Sequence, residues 1–267
     1  MKKIAIFLTL LLMVSCKKAF PQDPIPVHES FSLFSQVLDE KRVINVWLPP
    51  NYANTTQAYP VLYMPDGGIQ EDFPHIANTL AELIAAHKIP PMILVGIENT
   101  NRRRDLTGAS QVAEEESIAP LSDGASVFRT FIKEELITEI NHRYRTTSQK
   151  GIIGESLAGL FVVETLWVQP DLFDFYIAMD PSLWWNNHYL VKEATTYLSR
   201  LPDREIKFWF AGSDAIDISQ HTQAVAQLLK NENYPTLRWF YADMPNEKHH
   251  TIYRATKVQA LEWVFQQ

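Results

Sequence analysis

The chain has 267 residues, 46% of them hydrophobic and 21% charged, which is enough apolar sequence for one sizeable core, and a single α/β domain is the simplest reading. A formal net charge of -7 excludes the nucleic-acid-binding class, because neutralising phosphates takes clustered Lys and Arg. The lone cysteine, Cys16, excludes an intrachain disulfide, a cysteine-based zinc site and a catalytic thiol in the folded part.

Lys2 and Lys3 precede an apolar run at 4–14 that is too short to cross a bilayer, the pattern of a signal peptide over 1–15. The run ends at Met13-Val14-Ser15-Cys16, which resembles the bacterial lipobox, with Met13 where Leu is usual. Cys16 is therefore expected to be the lipidated first residue of an exported chain, anchored to a bacterial membrane on the periplasmic side or at the cell surface. Ordinary signal cleavage nearby is the competing reading. Residues 16–28 contain Pro21, Pro24 and Pro26 and read as an extended tether. No repeat or linker divides 29–267, which reads as one domain.

Within it, 31–38 and 42–48 read as paired opening strands around a turn at Asp39-Glu40. A short strand at 61–64 stops at Pro65-Asp66-Gly67-Gly68, and 73–87 has helical period. The run 92–97 is continuously apolar, as in a parallel strand buried on both faces. Residues 126–144 form the clearest amphipathic helix, with Phe128, Phe131, Ile132, Leu136, Ile140 and Tyr144 on one face. A central strand at 151–153 and a helix at 157–168 follow, then a strand at 175–179 and a helix at 188–201. Strands at 206–210 and 237–241 alternate with helices at 219–231 and 252–265. This alternation predicts a mainly parallel sheet with helices on both faces.

Gly154-Glu155-Ser156-Leu157-Ala158-Gly159 lies between a buried strand and a helix, the setting of a nucleophile elbow. The tight turn needs small neighbours; Gly154 supplies one, and Ala158 stands where a second glycine is expected. Ser156 is the candidate nucleophile, against the plainer reading of a helix cap. Its hydroxyl needs a base, and His249 and His250 lie between the last strand and the last helix, where one of the pair can face it. Asp214 is the first candidate for the acid that orients the base; Asp217 is the second, with Glu247 or a Ser-His dyad as further alternatives. The Leu157 N–H, with that of Gly67 or Gly68, can form an oxyanion hole. The remaining histidines lack zinc-ligand spacing, so neither a metal nor another cofactor is expected.

Several segments together resemble a family of esterases that includes enterochelin esterases, S-formylglutathione hydrolases, feruloyl esterases and mycolyltransferases. Tyr59-Pro60-Val61-Leu62-Tyr63-Met64-Pro65-Asp66-Gly67 is similar to the family's YPVLYLLDG segment. Val95-Gly96-Ile97-Glu98-Asn99-Thr100-Asn101-Arg102-Arg103-Arg104-Asp105-Leu106-Thr107 resembles VGIxNTxRxRDLTP of the enterochelin-esterase-like branch, with Gly108 at the Pro. The stretch from Phe173 to Trp185 resembles FDAYIAxSPSLWW, with Asp180 in place of Ser before Pro181-Ser182-Leu183-Trp184-Trp185. The resemblance implies an α/β-hydrolase fold, a catalytic serine at Ser156, and His249 as the base from Glu247-Lys248-His249-His250-Thr251. It also implies pocket roles for Arg104, pairing with an anionic or catecholate substrate, and for Trp185 by stacking; a solvated basic loop and a core tryptophan pair are the plainer alternatives.

The expected function is hydrolysis of carboxylic esters through an acyl-enzyme, on a siderophore ester or an acylated polysaccharide. A catalytically silent ligand-binding lipoprotein and an acyltransferase are the alternatives.

Overall fold

Strands that are apolar on both faces require cover on both, and the alternate residues of the central strands divide accordingly between two cores. The computed structural model describes residues 23–266. The signal segment, Cys16 and the first part of the tether lie outside the described residues.

Eight strands form one sheet: β1 (Glu29–Ser35), β2 (Glu40–Trp47), β3 (Tyr59–Met64), β4 (Ile93–Ile97), β5 (Thr146–Glu155), β6 (Phe175–Met179), β7 (Ile206–Gly212) and β8 (Leu237–Asp243). Their order is β1-β2-β4-β3-β5-β6-β7-β8. β2 runs antiparallel to both neighbours, and the other pairings are parallel. The helices are α1 (Phe73–Ala85), α2 (Arg102–Asp105), α3 (Gly124–Thr130), α4 (Ile137–Arg143), α5 (Leu157–Val168), α6 (Trp185–Lys192), α7 (Ala194–Leu198), α8 (Ile216–Asn231) and α9 (Ile252–Phe265). On β5, Ile153 joins the core beneath α1 and α9, and Ile152 joins the core beneath α3 to α8. This is the α/β-hydrolase fold.

Three departures from the expected elements have physical causes. The amphipathic helix contains a π-helical stretch, Phe131–Leu136, between α3 and α4. Its apolar residues Ile132, Leu136, Ile140 and Tyr144 recur every four positions, which in an α-helix drifts about 40° per step. A wider turn brings them back into register, and Phe131, Ile132, Leu136 and Ile140 are fully buried. The expected helix at 188–201 is instead α6 and α7, and α6 contains a left-handed turn at Asn186, Asn187 and His188 with φ of 50, 51 and 49°. The described end of the tether is docked rather than free. Arg254 on α9 pairs with Asp23, and Asn78 Nδ2 on α1 donates to the Pro24 carbonyl at 2.8 Å.

Parallel strands all end on one edge of the sheet, so the residues just past β3, β5, β6, β7 and β8 converge there. In chain order these carry Asp66 to Gly68, Ser156, Asp180, Ser213 and His249.

Candidate active site

Ser156 sits between β5 and α5 with φ 61° and ψ −121°, a backbone conformation costly for a residue with a Cβ. Two hydrogen bonds to the neighbouring strand end hold it: its N–H donates to the Met179 carbonyl, and its carbonyl accepts from the Ser182 N–H. The small residues around it have separate jobs. A Cβ on Gly154 would lie 2.7 Å from Ala158, so the first glycine makes room for the alanine in the next turn. A Cβ on Gly159 would stand 3.0 Å from the Met179 carbonyl oxygen and from Pro181, so this glycine lets α5 pass the end of β6. The required closeness is thus shared between Ala158 and Gly159.

The imidazole of His249 bridges two groups. Ser156 Oγ lies 3.1 Å from its Nε2, and Asp180 Oδ2 lies 2.7 Å from its Nδ1. With a proton on Nδ1, the ring donates to Asp180 and presents the Nε2 lone pair to the serine hydroxyl. Asp180 is fully buried and its carboxylate is satisfied by two further donors, the Ser213 N–H and the Ser213 hydroxyl, each at 2.6 Å. The hydrogen bond to Asp180 raises the pKa of His249 above its ordinary value, against the opposing effect of burial. His250, beside it, is exposed.

The acid differs from expectation. Asp214 does not meet His249; its carboxylate pairs with Lys248, while its N–H donates to the Glu247 carbonyl. Glu247 in turn accepts from the Thr251 hydroxyl at 2.6 Å. The carboxylate has moved one strand, from the end of β7 to the end of β6, and β7 contributes the donors of Ser213 instead. The sequence carried a sign of this, since Asp180 stands where the resembling segment has Ser.

The oxyanion donors also need correction. The Leu157 N–H lies at the first position of α5, where a helix offers it no carbonyl and its dipole favours developing negative charge. The Gly67 N–H, however, donates to the Ile97 carbonyl at 2.9 Å. Gly67 is glycine for packing: a Cβ there would fall 2.2 Å from the Ile97 nitrogen. The Gly68 N–H donates to Glu71 Oε2 at 2.7 Å, so a substrate oxygen reaches it only when that carboxylate moves.

Arg104 is committed elsewhere, donating to Glu40 at 2.6 and 3.2 Å and to Asp105 at 2.8 Å. The neighbour Arg102 points to the site instead. It forms a bidentate pair with Asp66 at 2.6 and 2.8 Å and approaches the Glu155 carbonyl at 3.5 Å. Trp185 is buried, with its Nε1–H donating to the Gly108 carbonyl at 3.0 Å. Glu155, just before Ser156, is half-buried, and desolvation pushes its carboxyl up to about 8.

These features define an α/β-hydrolase with a serine, a histidine and an aspartate joined in one hydrogen-bonded line. The chain belongs to the esterase family described as "Putative esterase", whose model matches residues 35–259. It is 29% identical over 182 residues to the ferri-bacillibactin esterase BesA of Bacillus subtilis, an alignment covering 60% of this chain and 61% of that protein. It is 23% identical over 255 residues to the apo-salmochelin esterase of Escherichia coli, covering 88% of this chain and 78% of that one. Among solved structures, an IroE-like serine hydrolase from Shewanella oneidensis superposes with a TM-score of 0.80 at 27% identity, over 90% of this chain and 80% of that chain.

Proposed function

We propose that this protein hydrolyses carboxylic esters through an acyl-enzyme on Ser156, with His249 as general base and Asp180 as the group that orients it. The observation that carries this reading is the imidazole shared between Ser156 Oγ and Asp180 Oδ2. In the first half-reaction His249 takes the hydroxyl proton as Ser156 Oγ bonds to the ester carbonyl carbon, and gives it to the departing alcohol as the tetrahedral intermediate collapses. In the second, water attacks the acyl carbon, its proton passes to Nε2, and Ser156 leaves as the hydroxyl with the acid product free. The Asp180 carboxylate, hydrogen-bonded to Nδ1, stabilises the imidazolium formed in each half. The Leu157 N–H supplies one donor to the oxyanion.

The substrate class is a siderophore ester. Support comes from the likeness to the ferri-bacillibactin esterase of Bacillus subtilis and the apo-salmochelin esterase of Escherichia coli, together with the sequence motifs that resemble the enterochelin-esterase-like branch. Side-by-side assay of a ferric catecholate trilactone and of acetylated and feruloylated xylan tests the substrate class. Faster turnover of the trilactone is expected, and turnover of the xylans alone would reject it.

The chain is exported and held on a membrane by a lipid on Cys16, a reading that rests on the charged start, the short apolar run and the lone cysteine after it. Metabolic labelling with an alkynyl fatty acid should mark the wild-type chain and not Cys16→Ser; equal labelling of both, or none of either, rejects the anchor.

A further inference from the structure

A cavity of about 630 Å³ opens between the 108–112 loop, the second half of α5 and the α6–α7 segment. That is a ligand-sized space. Ser156, Asp180 and His249 do not line it, but it adjoins them: the Trp185 N–H in its wall donates to the Ser182 carbonyl, and Ser182 Oγ lies 3.5 Å from Ser156 Oγ.

The walls are tied together without a ligand. Trp185 Nε1 donates to the Gly108 carbonyl at 3.0 Å, and the Gln111 N–H donates to Asn186 Oδ1 at 3.0 Å. Glu115 Oε2 accepts from both the Ser110 hydroxyl and the Asn186 N–H. On the floor stands Glu164, with 9% exposure. Its Oε1 accepts from Arg129 Nη2 at 2.8 Å, while its Oε2 has no hydrogen-bond partner among the described residues. A Cβ on residue 108 would stand 2.8 Å from that oxygen, so Gly108 leaves it open.

The lining selects a ligand chemistry. Arg129 already balances the charge of Glu164, and burial raises the carboxyl's pKa, so the spare oxygen suits a neutral hydroxyl better than a second cation. Asp123 and Glu164 disfavour an anion, with Lys192 the cation in the lining. The exposed Tyr189 and the half-buried Tyr197 provide apolar ring surface, and the exposed amides of Gln111 and Asn187 offer donors and acceptors at the rim. Ring surface, amides and an open carboxylate oxygen together match a ring that has hydroxyls on its edge and C–H groups on its face. We propose that this cavity binds a neutral saccharide, with Glu164 Oε2 accepting one sugar hydroxyl and the Tyr189–Tyr197 wall covering the ring face.

The test is equilibrium titration of Ser156→Ala protein with glucose, galactose, xylose and their β-linked disaccharides, with spermidine and citrate as charged controls. This readout needs no turnover and so stands apart from the proposed hydrolysis. At least one neutral sugar should saturate a single site, and Glu164→Gln and the exposed-site change Asn187→Ala should each weaken it by about tenfold or more. In a chain retaining Ser156, Asn187→Ala should leave hydrolysis of p-nitrophenyl acetate within about twofold. Absence of saturation by every sugar up to about 50 mM overturns the proposal. So does saturation by spermidine or citrate alone, or sugar binding unchanged by Asn187→Ala.

Discussion

Asp180 at the end of β6 and Ser213 at the end of β7 form a closed pair, in which both the backbone N–H and the hydroxyl of Ser213 donate to the Asp180 carboxylate. A fully buried carboxylate needs its lone pairs filled, and these two donors together with His249 fill them. The pair explains how the acid can stand one strand away from Asp214 and still reach the imidazole.

Asp180→Asn should lower kcat/KM on p-nitrophenyl acetate by about 10³- to 10⁴-fold, because the amide favours the wrong imidazole tautomer. Asp214→Asn should leave it within a few fold, since that side chain meets Lys248. Steady-state kinetics of the two purified variants decides between them. The reverse ranking would return the acid to β7.

The base must be neutral to accept a proton, so kcat/KM should rise with pH through the pKa of His249, which Asp180 holds above its ordinary value. Ser213→Ala removes one of the donors that fix Asp180 and should cost about tenfold in rate. A pH–rate profile should also show the midpoint of its rising limb altered. An unaltered midpoint with a lowered rate would assign Ser213 a merely structural part.

Much of the fold was legible because apolar runs and turn residues state it locally. α5, β6 and α9 begin and end where their patterns do, and Ser156 and His249 were marked by the small residues of the elbow and by the loop before the last helix. What was not legible depended on neighbours distant in sequence. Whether Asp180 or Asp214 faces His249 is settled by which strand end carries Ser213, and pairing of β6 with β7 decides that. The oxyanion role expected of Gly67 failed for a similar reason. Its N–H is taken by Ile97 of β4, a partner no local pattern reveals.

Arg104→Gln should lower stability by about 1–3 kcal/mol, because it removes donors from Glu40 and from the buried Asp105. It should leave KM for an anionic ester within about twofold. Urea unfolding and Michaelis kinetics on the same preparation separate the effects. A large rise in KM with unchanged stability would restore Arg104 to the substrate pocket.

Glu155 gives a stability signature. Its carboxyl is held near about 8 in the folded chain, above the ordinary 4.5 expected on unfolding, so the folded state binds the extra proton between those values. The stability this contributes is full below pH 4.5 and is lost as pH rises through about 8. Glu155→Gln should flatten the fall in melting temperature over that window. An identical slope in both proteins would show that the carboxyl is not held protonated.

Ser156→Gly should raise stability by about 1 kcal/mol, because glycine accepts φ 61° without the Cβ penalty, whereas Ser156→Ala should not. Chemical denaturation of the two inactive variants provides the comparison. Equal stabilities would mean that the elbow is unstrained.

The most direct measurement is intact-mass and peptide mapping after exposure to a fluorophosphonate, followed with and without the His249→Ala change. One adduct is expected, on Ser156, complete in the wild-type chain and slowed by about 10³-fold or more without the imidazole. Ester hydrolysis by a protein whose Ser156 remains unmodified, or labelling at the same rate when His249 is gone, would contradict it.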